Sequence, residues 1–379
     1  MAADLLIRNG TVIDPARKVH AVGDVAIAGG RIVEADGTGA TTEIDAAGCL
    51  VVPGLIDNHA HVFAASTDGG IRADASCLPQ GVTSVVDAGS AGPSNYRTFA
   101  ATVPPFNEMR VFSLVNVSDT GIVTHHYPEN VDPKYYDAAA LKCLFARYPG
   151  QLIGLKVRVG AEIVGGLGLK PLEATVEIAA QIGCQVVVHV TNAPCTMDRI
   201  ADLLRPGDVF CHCYHGTGPT IVGADGHVLP GVRAARARGI VFDACNGRNN
   251  FAFPPAKAAI ADGFPPDIIS TDLTGLTAYT GYAFGLTYTM SKYLDLGLGL
   301  DQVIAAATAA PARQLGKAGL LGTLVPGAFA DVAVLKLVNK RVRYLDAKGE
   351  EFVGNTLLVP QMTVLDGRIA YRQIDFATG

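Results

Sequence analysis

The chain has 379 residues, 49% hydrophobic and 17% charged, which excludes a disordered protein and supplies a core without disulfides. Thirty Lys and Arg stand against 35 Asp and Glu, a net charge of −5 with no basic block. That balance argues against nucleic acid or an anionic membrane as a partner, and no apolar run of about 20 residues is present to span a bilayer. The eight cysteines are scattered among aliphatic residues with no C-x-x-C pair, as reduced core thiols are. MAADLLIRNG lacks the basic and apolar regions of a signal peptide, so a reducing cytoplasm is expected.

In chain order, residues 4–52 fall into short runs bounded by Gly, Asp or Pro: DLLIRNGTVID, GDVAIAGGRIVEA and TEIDAAGCLVVPG. They read as short antiparallel strands with tight turns. The middle of the chain alternates apolar strand-length runs with Ala/Leu-rich helical stretches. The strands are LVVPGLID (50–57), VTSVVDA (82–88), RVFSLVNV (110–117), LIGLKVRV (152–159), QVVVHV (185–190), DVFCHCY (208–214), IVFDACN (240–246) and DIISTDL (267–273). Eight strands apolar on both faces favour a (β/α)8 barrel over an open sheet, and HAHVFAAS after the first is no phosphate-binding glycine turn. The strand texture of the N-terminus returns in GTLVPGAFADVAVLKL, KRVRYLDAKGEEFVG and NTLLVPQMTVLDGRIAYR. Neither end makes a comfortable sheet alone. Residues 1–52 and 320–379 are therefore expected to share one β-domain around a barrel of 53–319.

Barrel active sites lie at the C-terminal ends of the strands. Strand one ends in Asp57-Asn58-His59-Ala60-His61, and two histidines two apart on extended chain project to one side and can converge on an ion. Strand four carries Lys156, strand five His189, strand six His212 and strand eight Asp272. Each alone has a plainer reading: a buried core imidazole, a lysine reaching for the surface, an aspartate capping a helix. Their equivalent places in an eight-unit repeat favour a metal centre.

This constellation resembles the amidohydrolase superfamily in its binuclear subtype, and LVVPGLID, VPGAFADVAVL and ATAAPARQLG resemble it too. The resemblance implies an α/β fold: a distorted (β/α)8 TIM barrel with a small β-sandwich domain built from both termini. It implies two divalent ions, zinc before manganese or cobalt. His59, His61 and Asp272 would hold the buried one, and His189 and His212 the exposed one. Lys156, carboxylated by carbon dioxide, and a hydroxide would bridge them, with Asp272 as the proton-transferring catalytic group. A carbamate makes chemical sense there, since it offers two anionic oxygens where an ammonium would repel two dications.

GLKVR, HCYHG, STDL and TMSKYLDLG resemble the deacetylase-type branch, often labelled dihydroorotase-like. Dihydroorotases carry an arginine two residues after the H-x-H motif, where this chain has Phe63, which cannot pair with a carboxylate. Deaminases of the superfamily carry a glutamate after strand five, absent from His189-Val190-Thr191-Asn192. Departures from the branch at Asn246, Thr274 and His215 face the substrate. Candidate substrate contacts are Arg158, Tyr214, His215, Asn246, Arg248, Tyr279 and Tyr282, and the Gly-, Thr- and Tyr-rich loop 274–284 is a candidate lid. Asp57 and Asn58 are expected to support the ligands, and His125-His126 to lie on a loop. The expected activity is hydrolysis of an amide or ester bond in a small acylated molecule. The alternatives are a cyclic amidase or lactonase, and a non-catalytic binding protein on the same barrel. A homo-oligomer is expected from the superfamily.

Overall fold

The computed structural model describes residues 3–35, 39–64 and 66–378. The N-terminal strands are β1 (Ala3–Asp14), β2 (Val19–Ala28), β3 (Arg31–Val33), β4 (Ala40–Asp45) and β5 (Leu50–Pro53). Only Gly54 separates β5 from β6 (Leu55–Ala60), the first of seven parallel strands. The others are β7 (Val82–Asp87), β8 (Arg110–Asn116), β9 (Leu152–Arg158), β10 (Gln185–His189), β11 (Val209–Cys211) and β12 (Val241–Asp243), ordered as in the chain. Every residue of β6 and β7 is buried, which is why these runs carry no polar alternation.

The stretch read as an eighth strand, 267–273, forms no ladder. It meets its neighbours at two single parallel bridges, Asp243 with Ile268 and Ala60 with Leu273. The Ala244 amide donates to the Ile268 carbonyl at 3.0 Å, and the His61 amide to the Leu273 carbonyl at 2.9 Å, so the barrel still closes. Pairing breaks because Asp272 takes a left-handed turn, φ 51°, that no continuous strand accommodates.

Helices cover the barrel where Ala- and Leu-rich segments were found, including Tyr96–Thr102, Lys170–Ile182, Met197–Leu203, Pro230–Ala237 and Leu286–Asp295. The segment PKYYDAAALKCLFARY opens with a single 3-10 turn at Pro133–Tyr135, and its α-helix runs from Ala138 to Arg147. Asp137 sets that start: its carboxylate accepts the Ala140 amide at 2.8 Å and caps the helix. No described helix is long and apolar enough to cross a membrane.

The chain ends with β13 (Val332–Leu345), β14 (Glu351–Leu365) and β15 (Arg368–Arg372). These join β1–β5 in one eight-stranded sheet, ordered β15-β14-β13-β5-β1-β2-β3, with β4 also on β1. Antiparallel pairing was expected throughout, yet β1 pairs with β4 and β5 in parallel, because the chain crosses back before each. The joint is β5, parallel to β1 and antiparallel to β13, with Val51 opposite Val334 and Val52 opposite Ala333.

Candidate active site

The barrel rim gathers His59, His61, Lys156, His189, His212 and Asp272 around one cavity of about 310 Å³. Period-two geometry aims His59 and His61 inward together, with ring centroids 5.8 Å apart. His59 Nε2 lies 3.5 Å and His61 Nε2 3.3 Å from the same Asp272 oxygen, Oδ1. The other Asp272 oxygen accepts from the Asn250 amide at 2.7 Å, and Asn250 accepts from the Thr191 hydroxyl at 2.9 Å. Lys156 Nζ stands 3.4 Å from His59 Nε2. His189 and His212 pack edge to face at 4.5 Å, and His212 meets His59 at 5.2 Å.

Backbone geometry turns several of these groups inward. Asn192, His212 and Cys245, each within three residues of a barrel strand's end, and Asp272, in the bridged stretch 267–273, have φ of 58°, 62°, 38° and 51°. Non-glycine residues adopt such angles rarely, at about 1–3 kcal/mol each, and they cluster at working sites. Two glycines make room: a Cβ on Gly89 (φ +81°) would sit 2.5 Å from Lys156 Cβ, and one on Gly247 (φ +58°) would strike Asp272.

Three of the four convergent imidazoles engage their second nitrogen. His61 Nδ1 contacts the Ser90 hydroxyl at 2.8 Å, which donates to Asp87 at 2.8 Å. His212 Nδ1 meets the Cys245 carbonyl at 2.7 Å, and His59 Nδ1 the Cys245 sulfur at 3.2 Å. Asp57 and Asn58, expected to serve the imidazoles, do not reach them, although Asp57 accepts from the His59 backbone amide at 3.4 Å. Asp57 accepts from the Thr271 hydroxyl at 2.6 Å, and Asn58 donates to Asp243 at 3.1 Å.

Burial, with the Lys156 charge beside it, pushes the His59 pKa down to about 4. Burial and the neighbouring His212 push His189 well below the usual imidazole range. Burial opposes charge on Asp272, but His61, His59 and His212 hold its carboxyl below the usual range. Neutral imidazoles at His59 and His189 and an ionised carboxylate at Asp272 are donors of the kind a divalent cation needs. One nitrogen each from His59 and His61 and an Asp272 oxygen lie within 4.8 Å of one another. The residues therefore fit a metal.

The sequence pattern of the amidohydrolase family matches residues 50–370. The chain belongs to the amidohydrolase family. It is a hydrolase acting on carbon–nitrogen bonds in small molecules, and the family uses divalent metal ions. A deacetylase of Agrobacterium fabrum is 32% identical over 326 residues, 86% of this amidohydrolase and 80% of the relative. A deacetylase of Enterococcus faecalis is 29% identical over 371 residues, 97% and 99% of the two chains. Among solved structures, an adenine deaminase superposes with a TM-score of 0.89 at 28% identity, covering 98% of this chain and 100% of the other. A dihydroorotase does so at 0.87 and 29%, covering 96% and 98%.

Of the candidate substrate contacts in this amidohydrolase, Arg158 and Arg248 line the cavity. Arg158 pairs with Glu129 at 3.0 Å, and Arg248 lies 5.8 Å from the Tyr282 ring centre. The other five do not line it. Tyr214 and His215 are fully buried, the tyrosine donating to the Phe264 carbonyl at 2.7 Å and His215 Nε2 facing the Met197 sulfur at 3.4 Å. Asn246 is also buried, bonded to Lys292 at 3.2 Å, while Tyr279 is 59% exposed. Tyr282 meets Lys292 through its carbonyl at 3.1 Å. Thr274, Leu276 and Thr277 of the candidate lid do reach the cavity. So does His125, which lies on a loop as expected and whose pKa burial pushes down. Phe63 is buried edge to face with Phe99 at 5.3 Å and brings no charge to the site.

Sequence reasoning missed Asn250 and Thr191 beside Asp272, Glu162 on the cavity wall, and Cys211 and Cys245 behind the imidazoles. The turn CNGRNN was the available signal. The left-handed Gly247 inside it makes Asn250, not Asn246, the residue that faces Asp272.

Proposed function

We propose that this amidohydrolase is a deacetylase- or amidase-type enzyme that hydrolyses the amide or ester bond of a small acylated molecule. The observation that carries the reading is one cavity lined by His59, His61, Lys156, His189, His212 and Asp272. Likeness to two deacetylases over 86% and 97% of this chain supports it. In this reading His59, His61 and Asp272 would hold one divalent ion and His189 and His212 a second. Lys156, once carboxylated, would supply an oxygen to each. Zinc is the first expectation, with manganese and cobalt as the other metals the donors suit. When bound, such a pair lowers the pKa of a water and polarises the scissile carbonyl.

Asp272 takes the proton of the attacking water at Oδ2, which Asn250 holds in place, and delivers it to the leaving nitrogen or oxygen. Products are a carboxylate and an amine or alcohol. Arg158 and Arg248 stand on the cavity wall to orient polar parts of the substrate. Tyr214, His215, Asn246, Tyr279 and Tyr282 are assigned to shaping the loops around it. Residues 1–52 and 320–379 act as one domain bracing a barrel of 53–319. Eight free thiols support a reducing, cytoplasmic setting, and a homo-oligomer remains part of the proposal.

The second reading, a ring-opening cyclic amidase or lactonase, is favoured by the likeness to the dihydroorotase structure. A screen of N-acyl amino acids, O-acyl hydroxy acids, lactones and cyclic imides, with zinc, manganese or cobalt supplied, separates the two. Turnover of acyclic acyl compounds alone supports the first reading, and turnover of rings alone the second. Metal analysis accompanies it: one ion or none per chain would refute the binuclear arrangement.

A further inference from the structure

Behind the cavity, two thiols and an imidazole come together in a way the hydrolytic chemistry does not use. Cys211 closes β11 and Cys245 follows β12, so adjacent strand ends bring their side chains into the barrel interior. A His59 ring nitrogen, Cys211 Sγ and Cys245 Sγ all lie within 4.8 Å of one another, and all three residues are buried. Cys245 approaches His59 from the Nδ1 side at 3.2 Å, whereas Asp272 approaches from the Nε2 side at 3.5 Å. Cys211 Sγ sits 3.6 Å from Lys156 Nζ. His59 thus stands between a hard donor set of imidazole and carboxylate and a soft one of two sulfurs.

We propose that Cys211, Cys245 and His59 form a separate site for a thiophilic d10 cation, distinct from the hydrolytic metal centre. Softness supports this: paired thiolates select such ions over those that carboxylate and imidazole hold. Size supports it as well. A tetrahedral ion with bonds of about 2.0–2.3 Å spaces its ligands about 3.3–3.8 Å apart, so these donors need draw in by only about 1 Å. Entry is available because His59 and Lys156, which the two cysteines touch, line the open cavity. On binding, two S–H bonds and the His59 N–H bond break, two metal–sulfur bonds and one metal–nitrogen bond form, and three protons leave to solvent, so that His59 is an imidazolate between the ions when both sites are filled. Because Cys245 and Asp272 approach different ring nitrogens of His59, occupancy of the soft site does not require the hydrolytic ion to leave. The inference rests on the thiol geometry alone and stands whichever acyl or cyclic substrate the enzyme takes.

Cadmium(II) is the probe, titrated into the metal-loaded holoenzyme in a Cys143→Ser/Cys184→Ser/Cys195→Ser background that removes the more accessible thiols. The expected result is one added cadmium per chain, an ultraviolet thiolate-to-cadmium absorption band, and full retention of the hydrolytic metal. Adding Cys211→Ser and Cys245→Ser should abolish the band. X-ray absorption on the cadmium-loaded wild-type chain keeps the idea falsifiable if that variant does not fold, with two sulfurs expected in the first shell. A first shell of nitrogen and oxygen only, with loss of the hydrolytic metal, would overturn the proposal. So would a band that survives removal of both cysteines.

Discussion

Asn250 donates its side-chain amide to Oδ2 of Asp272 at 2.7 Å, leaving Oδ1 to the two histidines. A carboxylate that must both hold an ion and carry a proton needs its two oxygens kept distinct, and this bond does so. Asn250→Ala should therefore lower kcat by about 10–100-fold with metal content kept, the usual scale for losing a group that orients a ligand. Steady-state kinetics beside metal analysis decide it. Unchanged kcat would show that Asp272 needs no such support.

Asp272→Asn keeps the shape and removes the proton acceptor. Turnover should fall by about 10²–10⁴-fold, the range for loss of a positioned general base. Folding, followed by circular dichroism, should be unaffected. Activity near the wild-type level would remove the aspartate from the proton path.

Lys156 is buried between β8 and β10, opposite Asn116 and Val187. Lys156→Ala should lose dinuclear metal binding, and a short carboxylic acid in the buffer should restore part of it by supplying two oxygens in the vacated space. Mass spectrometry under native conditions should find an added carbon dioxide on the wild-type chain and none on the variant. Unchanged metal occupancy in Lys156→Ala would refute the bridge.

Lys292 gives a test that does not touch the metal centre. Burial pushes its pKa down to about 7, against a partial pull upward from Asp346. In the unfolded chain a lysine titrates near 10.4, so between about pH 7 and 10 the folded protein binds fewer protons than the unfolded one. Stability from this group must then rise with pH across that window. Lys292→Met lacks the dependence, so wild type should gain on the variant between pH 7 and pH 9 in urea unfolding midpoints. Parallel midpoints would mean that Lys292 titrates as an exposed lysine does.

The convergent residues were legible because a barrel brings strand ends together whatever its loops do. An apolar run buried on both faces says where a strand is, and its last residue then says what faces the cavity. His189 and His212 follow from that rule, and period-two alternation adds His59 and His61 at the end of β6 and Lys156 two residues before the end of β9. The substrate side did not follow, because it is built of turns. One left-handed residue reverses which neighbour points inward, and Cys245, Gly247 and Asp272 are all of that kind. Asn246 was thus expected at the cavity and lies in the core, while Asn250 reaches Asp272. Tyr214 was misplaced for another reason: a tyrosine just past a strand end also serves as a core anchor when its hydroxyl finds a carbonyl, here that of Phe264.

The seam at β5 also governs the order in which the molecule is completed. This strand runs through Gly54 into the one that ends at His59 and His61, yet it borders β13, with Pro53 opposite Val332 at a separation of 279 residues (332 − 53). A ribosome making the chain from its N-terminus exposes β5 long before its neighbour exists, and such distant pairings form slowly. The strand that leads into the histidine-bearing one is flanked on both sides only when β13 has emerged. A product cut short before β13 is open at the strand that leads into His59 and His61.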